Sequence, residues 1–190
     1  MNILMLLGSP RSQGNSAAIA AHFAKTATAL GAEVRTVDLN GLSYRGCQGC
    51  YACKGKADRC VLKDDLTPVL ATVEEVDVLV LASPIYFGDV TAQLKGFLDR
   101  CYAFLAPTYL TGGPKNRLTA KKLVFIQTQG NPDASFFAGV FPRIYHFMEW
   151  MGFQDGQLIR ACGLGPQRGE GIPAPVLAEA EAAARRLLQG

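Results

Sequence analysis

The stretch "NILMLLGSPRSQGNSAAIAAHFAKTATALG", residues 2–31, sets the fold class. Its apolar opening, residues 2–7, has the length of a buried strand. Gly8, Ser9 and Pro10 interrupt that run, and an alanine-rich segment over 16–31 then reads as a helix ending at Gly31. Strand, loop and helix in this order make the first half of a βαβ unit.

Outward from that stretch the alternation continues. "EVRTVDL" (33–39) alternates as a strand does, and Asp64 and Asp65 open a short helix by capping its N–H groups. "VDVLVLASP" (76–84) is the most continuous β-branched run and reads as the central strand. "VTAQLKGFLDRCYAFL" (90–105) places Val90, Leu94, Phe97, Leu98, Cys101 and Leu105 on one helical face. "KKLVFIQTQG" (121–130) and "GQLIRACG" (156–163) are further strands, with helices expected over 136–152 and 174–190. Five strands with intervening helices predict an α/β fold, a three-layer sandwich around a five-stranded parallel sheet, as one domain over 1–190. Ligands of such sheets bind beyond the carboxyl ends of the strands, which directs attention to the loops after residues 7, 39, 83, 128 and 162.

Composition excludes some functions. The 190 residues are 49% hydrophobic and 18% charged, as a globular chain is, and the net charge of +3 comes without any basic run that would suit nucleic acid. The N-terminus has no basic n-region and its apolar run is short for a signal peptide, while no window approaches a membrane span. The expectation is a cytoplasmic protein that meets neither nucleic acid nor membrane. In a reducing compartment, clustered cysteines point to metal or redox chemistry before structural disulfides.

The loop "GSPRSQGNS" (8–16) carries an anion-site composition. Ser9, Ser12 and Ser16 offer hydroxyls, Gly14 admits close backbone approach, Asn15 or Ser16 can cap the helix, and Arg11 adds a cation beside the helix N-terminus. An ordinary capped turn would explain Gly14 and Asn15 but not three hydroxyls with an arginine. The triphosphate loop G-x-x-x-x-G-K-[ST] is absent, because one extra residue separates Gly8 from Gly14 and Asn15 stands where lysine belongs. G-x-G-x-x-G is absent too, and a cysteine-dependent phosphatase is excluded because the loop holds no cysteine. A monophosphate suits the loop best.

"GSPRSQGNS" after the first strand, together with "SPIYFGDVTAQLKGFLDR" (83–100), resembles the NADPH-dependent FMN reductases among flavodoxin-like proteins over nearly the whole chain. The resemblance implies a flavodoxin-like fold and FMN, with Ser9, Arg11, Gly14, Asn15 and Ser16 on its phosphate. It also implies that Pro84, Ile85, Tyr86, Phe87 and Gly88 lie along the isoalloxazine, a large flat group that needs an apolar wall and a few backbone hydrogen bonds. Asp89 is expected to cap the next helix, and Thr128, Gln129 and Gly130 to complete the pocket. Flavin N5 takes a hydride from NAD(P)H, so no protein acid, base or nucleophile is required. His22 reads as helical and remote from the strand ends, and His146 as packing within an aromatic helix.

"CQGCYACKGKADRC" (47–60) has the pattern C-x2-C-x2-C-x6-C. Three thiolates in a turn-rich segment can wrap a corner of an iron–sulfur cube while Cys60 returns after a polar spacer. The spacing departs from the bacterial ferredoxin run, whose fourth cysteine serves a second cluster. A thiol–disulfide couple also suits a C-x2-C pair, whereas zinc sites usually pair two such units across a longer spacer. The stretch resembles the compact motif of the iron–sulfur flavoproteins within the same family, which implies a 4Fe–4S cluster on Cys47, Cys50, Cys53 and Cys60. Lys54, Lys56 and Arg59 are then the cations that offset its charge, and the Gly-, Lys- and Asp-rich loop should be poorly organised without metal. Cys101 and Cys162 read as small buried apolar residues.

The expected function is therefore that of an FMN-binding oxidoreductase whose cluster passes electrons to or from FMN. The alternatives are an NAD(P)H-dependent FMN or quinone reductase without a cluster, and a non-catalytic carrier or thiol redox sensor. The aromatic excess of "FFAGVFPRIYHFMEWMGF" (136–153) suggests association, and the resemblance implies a homo-oligomer, dimer or tetramer. A ferredoxin or other redox protein is the partner such a carrier would meet.

Overall fold

The computed structural model describes residues 1–165 and 171–189, so Gly190 of the expected last helix lies outside the described residues. In chain order the elements are β1 (Asn2–Leu7), α1 (Asn15–Ala29), β2 (Glu33–Asp38), α2 (Leu66–Glu75), β3 (Val78–Tyr86), β4 (Asp89–Val90), α3 (Ala92–Arg100), β5 (Lys121–Thr128), α4 (Val140–Trp150), β6 (Phe153–Ala161) and α5 (Ala174–Gln189). Five strands pair in parallel in the order β2-β1-β3-β5-β6. This is the flavodoxin-like order, with its switch point between β1 and β3.

Strand periodicity divides the core. Leu4 and Leu6 of β1, Leu79 and Leu81 of β3, and Leu123 and Phe125 of β5 face α2, α3 and α4. Their neighbours Ile3, Met5, Val78, Val80, Val124 and Ile126 face α1 and α5 through Ile19, Phe23, Ala180, Ala183 and Ala184. Both sheet faces are thus covered, which is why β3 reads as an unbroken apolar run. No helix among the described residues is long and apolar enough to cross a membrane.

The sixth strand, unforeseen in the sequence, is the two-residue β4, antiparallel to the end of β3 through Ile85–Val90 and Tyr86–Asp89. It extends β3 to Tyr86. The α1 cap also differs: Gly14 is the N-cap and no side chain caps the helix, because the Asn15 amide donates to the Gly165 carbonyl at 3.2 Å. Asp64 does accept from Leu66 N–H at 3.2 Å, but the Asp65 carboxylate turns to Ser43 N–H at 2.8 Å. Asp89 is not the α3 cap: Thr91 accepts from Leu94 N–H at 3.3 Å and donates to the Gly8 carbonyl. Helix α4 begins at Val140 rather than 136, since Asp133 holds Ser135 N–H at 2.8 Å in a local turn that competes with helix.

Gly8 shows why β1 ends where it does. Its N–H donates to the Ala82 carbonyl at 2.8 Å, and a Cβ there would lie 2.7 Å from Leu94 Cβ. The first loop is thereby pressed against the N-terminus of α3.

Candidate cofactor site and cysteine cavity

A pocket of about 100 Å³ opens at the carboxyl edge of the sheet, lined by Ser9, Arg11, Gly14, Asn15, Ser16, Pro84, Ile85, Tyr86, Thr128, Gln129 and Gly130. At roughly 30 Å³ per water, it has room for a phosphate group and not for a whole nucleotide. Of the residues singled out for the site in the three loops, Ser12, Phe87 and Gly88 lie outside its lining. Leu164 and Gly165, after β6, complete the wall, and sequence reasoning missed them. The only signal was their place after an expected strand end.

The hydroxyls of Ser9 and Ser16 are buried. Ser9 Oγ accepts from Arg11 N–H at 3.0 Å, so its proton remains for an acceptor in the pocket. The first turn of α1 has neither a side-chain cap nor an acidic residue. Its N–H groups therefore keep the positive end of the helix dipole open to an anion. A Cβ at Gly14 would lie 3.1 Å from the Arg11 carbonyl and 3.3 Å from Ser9 Oγ, crowding the cradle that glycine leaves open.

Beside the pocket, the β3–β4 hairpin turns at Phe87 and Gly88, with φ of 49° and 86°. Two left-handed residues suit the twist of a tight hairpin, but the first position favours Asn, Asp or Gly. Phe87 is at 110% relative exposure, and Tyr86 is exposed beside it. A bulky aromatic held in left-handed backbone and fully solvated has no packing reason to be there. Asp89, freed from capping, pairs with Arg143 of α4 at 2.7 Å.

The cysteine stretch lies on the α3–α4 side. All four cysteines border one cavity of about 660 Å³, whose walls include Leu98, Arg100, Tyr102, Tyr109, Phe147 and Trp150. Cys47 and Cys50 are exposed, Cys60 is intermediate and Cys53 is buried. Among the described residues no three His, Cys, Asp or Glu side chains gather as a metal-ion site.

Long cations tie the cysteine loop to its surroundings. Lys54 Nζ donates to the Tyr102 and Leu105 carbonyls, each at 2.6 Å, and lies 4.2 Å from the Tyr102 ring centre. Arg117 donates to the Cys53 carbonyl at 2.8 Å and to the Asp58 carbonyl. Arg59 instead pairs with its neighbour Asp58. Arg100, at the end of α3, reaches the Arg45 carbonyl at 2.9 Å and Asp64 at 2.8 Å through Nη1. Burial pushes the Lys54 ammonium below its ordinary pKa against the pull of Cys53. Burial also opposes the Arg100 charge, but Asp64 and Cys60 outweigh it and hold the guanidinium above its ordinary value.

His22 pairs with Glu181 of α5 at 2.7 Å, and His146 packs edge-on against Phe147 and Trp150. Cys101 is fully buried, and burial raises its thiol pKa, as expected of an inert core thiol. Cys162 is intermediate rather than buried.

Residues 1–138 match the model of the NADPH-dependent FMN reductases. The chain belongs to the NADPH-dependent FMN reductase family. Within it, the chain is 39% identical over 100 residues to an iron–sulfur flavoprotein of Archaeoglobus fulgidus, covering 53% of this chain and 45% of that protein. An iron–sulfur flavoprotein of Methanocaldococcus jannaschii is 34% identical over 100 residues, covering 53% and 51%. The chain thus spans about half the length of these relatives in the matched region. An FMN-dependent NADH-azoreductase of Bacillus anthracis, solved in complex with FMN, shares the fold with a TM-score of 0.76 at 15% identity, over 99% of this chain and 100% of that one.

Two groups come into view, FMN from the family and an iron–sulfur cluster from the names of the relatives. For FMN, the uncapped helix, the buried hydroxyls and the glycine cradle suit a phosphate, and the exposed Tyr86–Gly88 hairpin beside them offers a face for a flat ring. For a cluster, four thiols border one cavity flanked by cations. A cube spreads its thiolates over its corners, so it does not require them to converge as a single metal ion does.

Proposed function

We propose that this chain is an FMN-binding oxidoreductase of the FMN or quinone reductase kind, acting as a single domain over 1–190. The observation that carries this reading is the pocket itself. Four separate segments of chain converge on one phosphate-sized cavity beside an exposed aromatic hairpin. Ser9, Arg11, Gly14, Asn15 and Ser16 hold the phosphate through hydroxyls, N–H groups and one guanidinium. Pro84, Ile85, Tyr86, Phe87 and Gly88 orient the isoalloxazine, while Thr128, Gln129 and Gly130 close the far wall. Gln129 is buried and fixed by donating to the Asn131 and Asp133 carbonyls at 3.1 and 2.9 Å, so that wall is rigid. When bound, the flavin supplies the hydride chemistry with NAD(P)H that no side chain offers.

The same proposal places a 4Fe–4S cluster on Cys47, Cys50, Cys53 and Cys60. Their shared cavity and the iron–sulfur flavoproteins among the relatives support it. Anaerobically prepared, iron-supplemented protein should hold about four iron and four sulfide per chain, and Cys50→Ser should lose them while keeping flavin. Flavin without iron or sulfide in the wild type would leave a reductase bearing thiols. NAD(P)H oxidation coupled to FMN or a quinone tests the reductase activity, and inertness to nicotinamides would overturn it.

A further inference from the structure

Arg100 is a buried cation whose hydrogen bonds are incomplete. The residue is 1% exposed, yet only Nη1 is bonded, to Asp64 and the Arg45 carbonyl, while Nε and Nη2 have no partner. Leaving two N–H groups of a buried guanidinium unsatisfied is costly unless something arrives to fill them. The guanidinium and Cys60 border the same cysteine cavity. The neighbouring cations are already committed, Lys54 and Arg117 to backbone carbonyls and Arg59 to Asp58.

We propose that the Nε and Nη2 groups of Arg100 are hydrogen-bond donors kept for sulfur on the Cys60 side of a thiolate-ligated cluster, where they favour its reduced, more negative form. This rests on the cluster reading above. Hydrogen bonds to cluster sulfurs and local charge are among the factors that set such potentials. The planar fork of arginine can bond Asp64 on one edge and sulfur on another, which a lysine ammonium cannot reproduce. Arg100 is thus a positioning and tuning residue, contributed by α3 rather than by the cysteine loop.

The test compares anaerobically reconstituted wild-type protein with Arg100→Lys and Asp64→Asn, reading iron and sulfide content and the midpoint potential of the iron–sulfur signal. Arg100→Lys should retain iron and shift the reduced-to-oxidised ratio about tenfold toward oxidised, about 59 mV lower for a one-electron couple. Asp64→Asn leaves the fork in place and removes the carboxylate that offsets it, so its potential should rise. A merely structural arginine would lower the melting temperature and leave the potential where it was. Wild-type potential in an iron-loaded Arg100→Lys protein would overturn this role and spare the cluster. If that variant does not fold, an unchanged or lowered potential in Asp64→Asn overturns it instead. Wild-type protein without iron would overturn the cluster reading and this inference together.

Discussion

Phe87 and Arg11 carry the residue-scale argument. Left-handed backbone costs a residue with a Cβ about 1–2 kcal/mol, and Phe87 bears it at φ 49° with its ring in solvent. If the ring is kept for flavin, Phe87→Gly should leave the flavin-free protein as stable or slightly more so, while weakening FMN binding. Thermal melting without flavin and a fluorescence titration with it separate the two effects, and unchanged affinity would take Phe87 out of the ring site. Arg11→Ala should remove a charge-assisted contact of about 1.5–3 kcal/mol, which is roughly tenfold to a hundredfold in FMN affinity. The same titration checks it. Its fold should be unaffected, since Arg11 is exposed at the surface of the loop.

At the scale of elements, the site depends on how tightly the first loop is pressed against α3. Gly8 bonds β3 through the Ala82 carbonyl and receives the Thr91 hydroxyl, so strand end, loop and helix cap form one joint. Gly8→Ala would place a Cβ 2.7 Å from Leu94 Cβ, and backbone must shift to admit it. The expected cost is about 1–3 kcal/mol, read from the denaturant midpoint, with weakened flavin binding because the phosphate loop moves with the joint. Stability equal to wild type would show that the joint is softer than its contacts imply. Helix α3 has a second task at its other end, where Arg100 fastens the cysteine loop.

For the whole molecule, the pocket and the cysteine cavity both border the β3–β4 hairpin, the first through Tyr86 and the second through Asp89, which links that hairpin to α4. Phe147 on α4 remains 51% exposed at the cavity wall, and Phe136 is 65% exposed just before the helix. Phe147 packs against His146 and Trp150 on the same helix, and because contiguous exposed apolar patches mark interaction surfaces we propose that α4 associates with a second copy. Phe147→Lys should then lower the mass seen by light scattering at a given concentration while leaving the monomer folded. A monomeric wild type under the same conditions would refute the assignment.

Much of this was legible in the linear chain because its signals are local. Apolar period and glycine punctuation are properties of neighbouring residues, and they determined the parallel α/β sheet. The pocket residues from 84 to 86 and 128 to 130 were also legible, since strand ends in such sheets face one edge. Most of what escaped depends on contacts between distant segments. The Asn15–Gly165 bond and the tying of the cysteine loop by Arg100 and Arg117 have sequence separations too long for periodicity to register, while the β4 hairpin is local but its strand is too short to show a period. The four cysteines were evident as a motif, but their common cavity was not, because its opposite wall comes from α3 and α4. Local chemistry decided which groups the chain has to offer. Only the tertiary structure, by satisfying some buried donors and leaving two on Arg100 unmet, decided where those offers point.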